Sequence, residues 1–219
     1  MTTDTPRTIA AFDFDKTLST RDNVVPFLAA VAGRQALLAA LVRATPDLVC
    51  GRRNAVKATL VRRLLAGRPE IDVLAIAESF GRDIAVEHLR PDVVARADWH
   101  RAQGHEQVIV SASFACYLHP VAEHLGFDGV LGTELEVGAD GRLPGMLAGP
   151  NVRGAEKVRR LDTWIGDNPA TVWAYGDSGG DRELLARADH PVRVRREPLA
   201  QSGRSATSST DAPNPGSPR

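Results

Sequence analysis

Two apolar runs, one near each end of the chain, both stop at carboxylates, and this pattern constrains the fold more than any other feature. The first is Ile9-Ala-Ala-Phe12, followed by Asp13-Phe-Asp15; the second is Val172-Trp-Ala-Tyr175, followed by Gly176-Asp177-Ser-Gly-Gly-Asp181. A short continuous apolar run flanked by turn residues fits a strand buried on both faces, as in a parallel sheet. Successive strand side chains point to opposite faces, so Asp13 and Asp15 would share one face if the first strand continued through them. Acids at the carboxyl ends of two such strands lie beside the crevice where open α/β sheets bind ligands. Together they suit one divalent cation.

The pattern between the two runs sets the architecture. A buried strand is predicted over 8–14. Residues 20–103 contain no convincing strand and read as helices over 24–32, 34–49, 53–66, 71–89 and 92–103, punctuated by Gly33, Gly51, Gly67 and Pro91. Residues 107–194 then alternate: strand 107–110, helix 114–125, a hairpin over 132–146 turning at Asp140-Gly141, helix 154–165, strand 171–175, helix 180–187 and strand 191–194. That order predicts parallel βαβ units, hence an α/β fold: a Rossmann-like parallel sheet core with a helical cap inserted after the first strand. The core is expected over 8–19 and 104–197, and the cap over 20–103. An insertion at this edge of a sheet is placed to exclude water and select substrates; the alternative is a helical domain with no bearing on the site. From Pro198 the composition collapses to Ser, Thr, Pro, Gly and Ala, so 198–219 is expected to be disordered.

Composition excludes several classes. Lys and Arg total 27 against 27 Asp and Glu, so global charge points to no nucleic-acid partner. Two cysteines, Cys50 and Cys116, give neither a disulfide framework nor a thiolate zinc site. Met1 to Arg7 are polar and lack the apolar core of a secretory signal, so a cytoplasmic protein is expected. The six histidines show no ligand spacing.

Four segments, in order, carry a resemblance to a known family. Asp13-Phe-Asp15-Lys-Thr17, Val108-Ile-Val-Ser111, Lys157 in Gly154-Ala-Glu-Lys-Val, and Gly176-Asp177-Ser-Gly-Gly-Asp181 are similar to the four signatures of the haloacid dehalogenase superfamily. The likeness runs from Thr8 to Arg196 and is strongest to subfamily IB, the phosphoserine-phosphatase-like branch with a C1-type helical cap. It implies a Mg²⁺-dependent phosphomonoester hydrolase working through an aspartyl-phosphate. Asp13 would be the nucleophile and Asp15 the acid and then base, its backbone carbonyl also binding the metal; Thr17 would steady their loop. Ser111 and the amide of Ala112 would hold the phosphoryl oxygens, and Lys157 would neutralise them. Arg153, Arg159 and Arg160 compete for that last role as solvated helix charges. Asp13, Asp15 and Asp177 would serve the metal, with Asp181 a further ligand or an acceptor behind the ligands.

The resemblance reaches the substrate less directly. The branch reads its substrate's amino-acid end with a Glu shortly after the first signature, where this chain has Asp22, and with a cap Arg, for which Arg62 and Arg63 are in the right neighbourhood. A small phosphorylated metabolite such as phosphoserine is therefore the expected substrate. Residues 33–68 hold eight basic residues and one acid, Asp47, around the apolar run Ala36-Leu-Leu-Ala-Ala-Leu-Val42. That run is too short to span a bilayer but suits peripheral membrane contact, so a lipid-phosphate phosphatase, phosphatidylglycerophosphate-like, is the alternative. A non-enzymatic module gripping an acidic partner with the basic cap is a third reading.

Overall fold

The structure, a computed structural model, describes residues 7–199. Five parallel strands form one sheet: β1 (Thr8–Phe12), β2 (Glu106–Phe114), β3 (Gly129–Thr133), β4 (Thr171–Gly176) and β5 (His190–Arg193), in the order β3-β2-β1-β4-β5. Four helices fill the insertion, α1 (Val24–Ala32), α2 (Arg34–Val49), α3 (Arg53–Leu65) and α4 (Glu70–Glu87); α5 (Pro91–Ala102), α6 (Ala115–Leu125), α7 (Ala155–Ile165) and α8 (Arg182–Arg187) follow. The expected α/β class holds.

The alternation of β1 divides its side chains between two cores. Ile9 and Ala11 join Val108, Val110, Val172 and Ala174 under Leu161, Ile165 and Leu184 of α7 and α8. Ala10 and Phe12 face the other way, into a larger core that also takes in Ile109, Tyr175 and residues of α1 to α6. Both faces are covered, which explains why the strands read as unbroken apolar runs. Because β1 is central and the chain winds from it first toward β3 and later toward β5, its carboxyl end lies at the point where the strand order reverses.

The insertion leaves and returns through one neck. Ser19 bridges Leu89 in antiparallel sense, Thr20 N–H donates to His88 O at 2.8 Å, and Arg90 N–H donates to Leu18 O at 2.8 Å. The helical excursion closes at that neck, and α5, although expected with the cap, packs on the sheet: its His100 ring meets Phe12 edge-on, and Nε2 pairs with the Tyr175 hydroxyl at 2.8 Å. The excursion is anchored on α6 by α4, where Gly81 permits a close crossing. A Cβ there would stand 2.5 Å from both Tyr117 O and Pro120 Cγ.

The region expected as a hairpin over 132–146 differs. Its start belongs to β3, a fifth sheet strand hidden in the sequence by two glycines used for contact rather than turning. A Cβ at Gly129 would strike the Trp164 ring, and one at Gly132 would meet Ala115 Cα at 2.9 Å. Beyond it a short ribbon does form, with Glu136 N–H on Met146 O at 3.0 Å and Gly138 N–H on Arg142 O at 2.7 Å. The ribbon clasps the α3–α4 junction through Gly67 N–H to Leu143 O and Leu143 N–H to Arg68 O, at 2.8 and 2.9 Å. At the other end, Leu199 packs on the core and its N–H donates to Asp92 Oδ2 at 2.9 Å, so the chain is still engaged past Pro198. The remainder of the expected tail lies outside the described residues.

Candidate active site

The strand does not continue through the two acids, and the way it breaks places them. Asp13 N–H still donates to Tyr175 O at 2.9 Å; the chain then makes a wide turn closed by Ser19 N–H on Phe14 O at 2.9 Å. Within it Lys16 takes a left-handed φ of 60°, uncommon for a residue with a side chain and characteristic of constrained functional loops. Asp13 and Asp15 accordingly face one cavity of about 410 Å³ yet have different partners.

Asp13 is buried. Its Oδ1 accepts from Lys157 Nζ at 2.5 Å and its Oδ2 from Thr17 Oγ at 3.2 Å. Burial raises its pKa to about 6, a rise that the Lys157 charge opposes and the nearby Asp181 reinforces. Lys157 lies with Leu161 and Ile165 on the buried stripe of α7, which carries its ammonium beneath the strand ends. There Nζ also donates to Asp181 Oδ1 at 2.5 Å. Arg159 instead pairs with Glu156 on the outside of that helix, as does Arg160.

Asp15 accepts from Asn23, backbone N–H at 3.0 Å and Nδ2 at 2.9 Å, and from Ser113 Oγ at 2.7 Å. Burial first, and the charge of Asp22 second, raise its pKa to about 7 against the pull of those hydrogen bonds. Two carboxylates one residue apart thus sit in different surroundings. Asp13 is bonded to the Lys157 ammonium, whereas burial is the largest influence on Asp15, whose pKa is raised to about 7.

Asp13, Asp177 and Asp181 bring carboxylate oxygens within 4.8 Å of one another. Hard oxygen donors in that arrangement fit a divalent cation. Among the described residues Asp177 forms no ion pair, and burial raises its pKa. Asp181 is differently engaged: besides Lys157, its Oδ2 accepts from Ser178 N–H and Oγ, both at 2.9 Å. Burial works upward on its pKa, but Lys157 and Ser178 outweigh it and hold the group low. Of the two roles open to Asp181, these bonds support the acceptor that fixes Lys157 and the loop.

β2 is irregular between Val110 and Phe114, so Ser111 to Ser113 leave the ladder beside the acids. Ser111 and Ala112 line the cavity as expected. Asp22 lines it too, acting on Asp15 through its charge. Arg62 and Arg63 do not. The cavity wall from α3 is Arg53, Val56, Lys57 and Leu60, and positions 62 and 63 point roughly 120–140° away from Lys57 around the helix. The buried cap cation at the site is Lys57, which sequence reasoning missed. Its Nζ donates to Ala112 O and to Asn151 Oδ1 (the latter at 2.8 Å) and sits 4.3 Å over the Phe114 ring. Burial lowers its pKa to about 7, opposed by the Asp15 charge. Asn23, Arg53, Ser113 and Asn151 were also missed, with only the Ser111-Ala-Ser113 repetition at a strand end as a signal; Arg153, expected only as a rival of Lys157, lines the cavity.

Comparison with known proteins decides the family. The profile of haloacid dehalogenase-like hydrolases matches residues 10–186. The chain belongs to that family. It is 40% identical over 185 residues to the protein CicA of Caulobacter vibrioides, covering 83% of each chain. It is 30% identical over 196 residues to a phosphoserine phosphatase of Halobacterium salinarum, covering 87% of each. Among solved structures, a protein of unknown function from Bordetella pertussis Tohama I superposes with a TM-score of 0.69 at 27% identity, over 83% of this chain and 87% of that one. The family match makes this chain a haloacid dehalogenase-like hydrolase. Among the described residues no helix is long and apolar enough to cross a membrane.

Proposed function

We propose that the chain hydrolyses phosphomonoesters of small metabolites through a phosphorylated Asp13, with Mg²⁺ as cofactor and phosphoserine the leading candidate substrate. The observation that carries this reading is the division of labour between Asp13, bonded to Lys157, and Asp15, raised to about 7. An Asp13 carboxylate oxygen attacks phosphorus while the ester P–O bond breaks and the departing alkoxide takes the Asp15 proton. Asp15, now ionised, takes a proton from water as its oxygen bonds to phosphorus; the P–O bond to Asp13 breaks, releasing phosphate and restoring both acids. Ser111, the Ala112 amide and Lys157 are placed to offset charge on the phosphoryl oxygens. Mg²⁺, held by Asp13 and Asp177 with the Asp15 carbonyl, would supply the positive charge that lets a carboxylate approach an anionic ester.

The decisive experiment is hydrolysis of phenyl phosphate by wild type and Asp13→Asn, in Mg²⁺ and in EDTA. Loss of turnover both in the variant and in EDTA is expected, and full activity in Asp13→Asn sinks the assignment. A panel of phosphoserine, sugar phosphates and phosphatidylglycerophosphate then ranks substrates. The lipid reading keeps one observation in its favour: Leu38, Val42, Leu48 and Val49 of α2 are exposed, and Leu48 also lines the cavity. Rapid release from the lipid with none from phosphoserine, together with flotation on anionic vesicles, would promote it.

A further inference from the structure

Two guanidinium groups in the cavity wall have no part in the chemistry above. Arg53 begins α3 on the cap side, and Arg153 precedes α7 on the core side. Both line the catalytic cavity, and both also line a more open hollow shared with Gly51, Arg52, Asn54 and Ala55. Among the described residues neither forms an ion pair. Glu183 feels the Arg153 charge but is paired with Arg182 at 2.9 Å, and Asp47 faces Arg52 at 3.8 Å.

The core arginine has a place made for it. Gly180 leaves the Asp177–Asp181 loop bare beneath the guanidinium: a Cβ there would lie 2.7 Å from Arg153 Nη1 and 3.0 Å from its Cζ. Two like charges brought to one space from opposite sides of the cap–core seam repel each other, and an oxyanion between them turns that repulsion into attraction. Guanidinium forks match phosphate and carboxylate bidentately, which suits them to this role better than ammonium groups.

We infer that Arg53 and Arg153 form a second oxyanion subsite at the cavity mouth, so that the enzyme selects phosphomonoesters whose alcohol carries another phosphate or carboxylate. This rests on the phosphatase reading and extends it. The reacting phosphoryl group is held deeper, at Asp13, Ser111 and Lys157, and the second anion lies toward the α2–α3 junction. Bound there, it draws cap and core together over the ester.

The test compares n-alkyl phosphates with α,ω-alkanediol bisphosphates and ω-carboxyalkyl phosphates of matched length, for wild type, Arg53→Gln, Arg153→Gln and the double variant. Wild type is expected to favour the doubly anionic esters by roughly tenfold or more in kcat/KM, as charged hydrogen bonds warrant. The double variant should lose most of that preference, chiefly through KM. The carboxylate and bisphosphate arms reveal which oxyanion the site takes. Equal rates for singly and doubly anionic esters in wild type overturn the proposal. So does a preference that survives the double substitution, or an equal loss on all esters, which would place the arginines at the reacting group. Calorimetric binding of butanediol bisphosphate separates the subsite from the chemistry: binding weakened in the double variant, with no ester hydrolysed by wild type, leaves the subsite standing and removes the phosphatase reading.

Discussion

Replacing Lys157 by Met tests the electrostatic floor of the site. The substitution keeps a flexible chain of similar length and removes an ammonium that is 2% exposed and bonded to two carboxylates, each at 2.5 Å. Removing one partner of a buried pair leaves an uncompensated charge, which costs about 3–5 kcal/mol. For a chain of this size each kcal/mol moves Tm by roughly 2–4 °C, so a loss of roughly 6–20 °C is expected near neutrality. The pH dependence is a sharper signature. The Lys157 pKa is raised by its two carboxylates against burial, so its contribution is complete below the unfolded lysine value and flat from pH 5 to 8. Asp181 is held low, so its contribution is present above the ordinary carboxylate value and fades only in acid. Asp13 is raised from 3.8 to about 6, so the folded state loses stability as pH climbs through that window. Without Lys157 both acids move upward, and the variant's deficit widens between pH 5 and pH 8. Urea unfolding of both proteins at pH 5, 6.5 and 8 in EDTA measures it. A deficit below about 1 kcal/mol at pH 8, the scale of a surface pair, refutes the reasoning, as does one that stays constant across the range.

Asp15→Asn should slow alkyl phosphates by about 10²–10⁴-fold and aryl phosphates with good leaving groups far less; the wild-type decline in alkyl ester hydrolysis above pH about 7, where Asp15 loses its proton, should vanish in the variant's pH–rate profile. Asp177→Asn should raise the Mg²⁺ concentration needed for half-maximal rate with little change in Tm measured in EDTA, since its carboxylate forms no ion pair among the described residues. Gly81→Ala should destabilise by about 1–3 kcal/mol in urea unfolding, because α4 must move off α6 to admit a methyl 2.5 Å from Tyr117 O. Lys57→Ala should loosen α3 from the core, read as faster limited proteolysis between α2 and α3, with a stability loss of about 1.5–3 kcal/mol for the charged hydrogen bonds to Ala112 and Asn151.

What the sequence revealed follows from how local each requirement is. A strand covered on both faces must be apolar throughout, so β1 and β4 stood out, and the acids just past them were visible as interruptions. Lys157 was legible only through its match to the third family signature; its place on the buried stripe of α7, four residues before Leu161, emerges from the fold. β3 escaped because its glycines serve Trp164 and Ala115, partners distant in sequence that no window contains. The cap side of the site escaped for a related reason. Lys57, Arg62 and Arg63 are all basic residues of one helix, and composition cannot rank them; rank depends on which face α3 turns to the core. That rotation is set by contacts far along the chain, with Leu60, Val61, Leu64 and Leu65 buried and the ribbon holding the helix end through Leu143. Those contacts bury Lys57 and leave Arg62 and Arg63 in solvent. The cap wall of this cavity therefore sits where sequence patterning is weakest, in the angle of a helix whose composition alone fits several faces equally well.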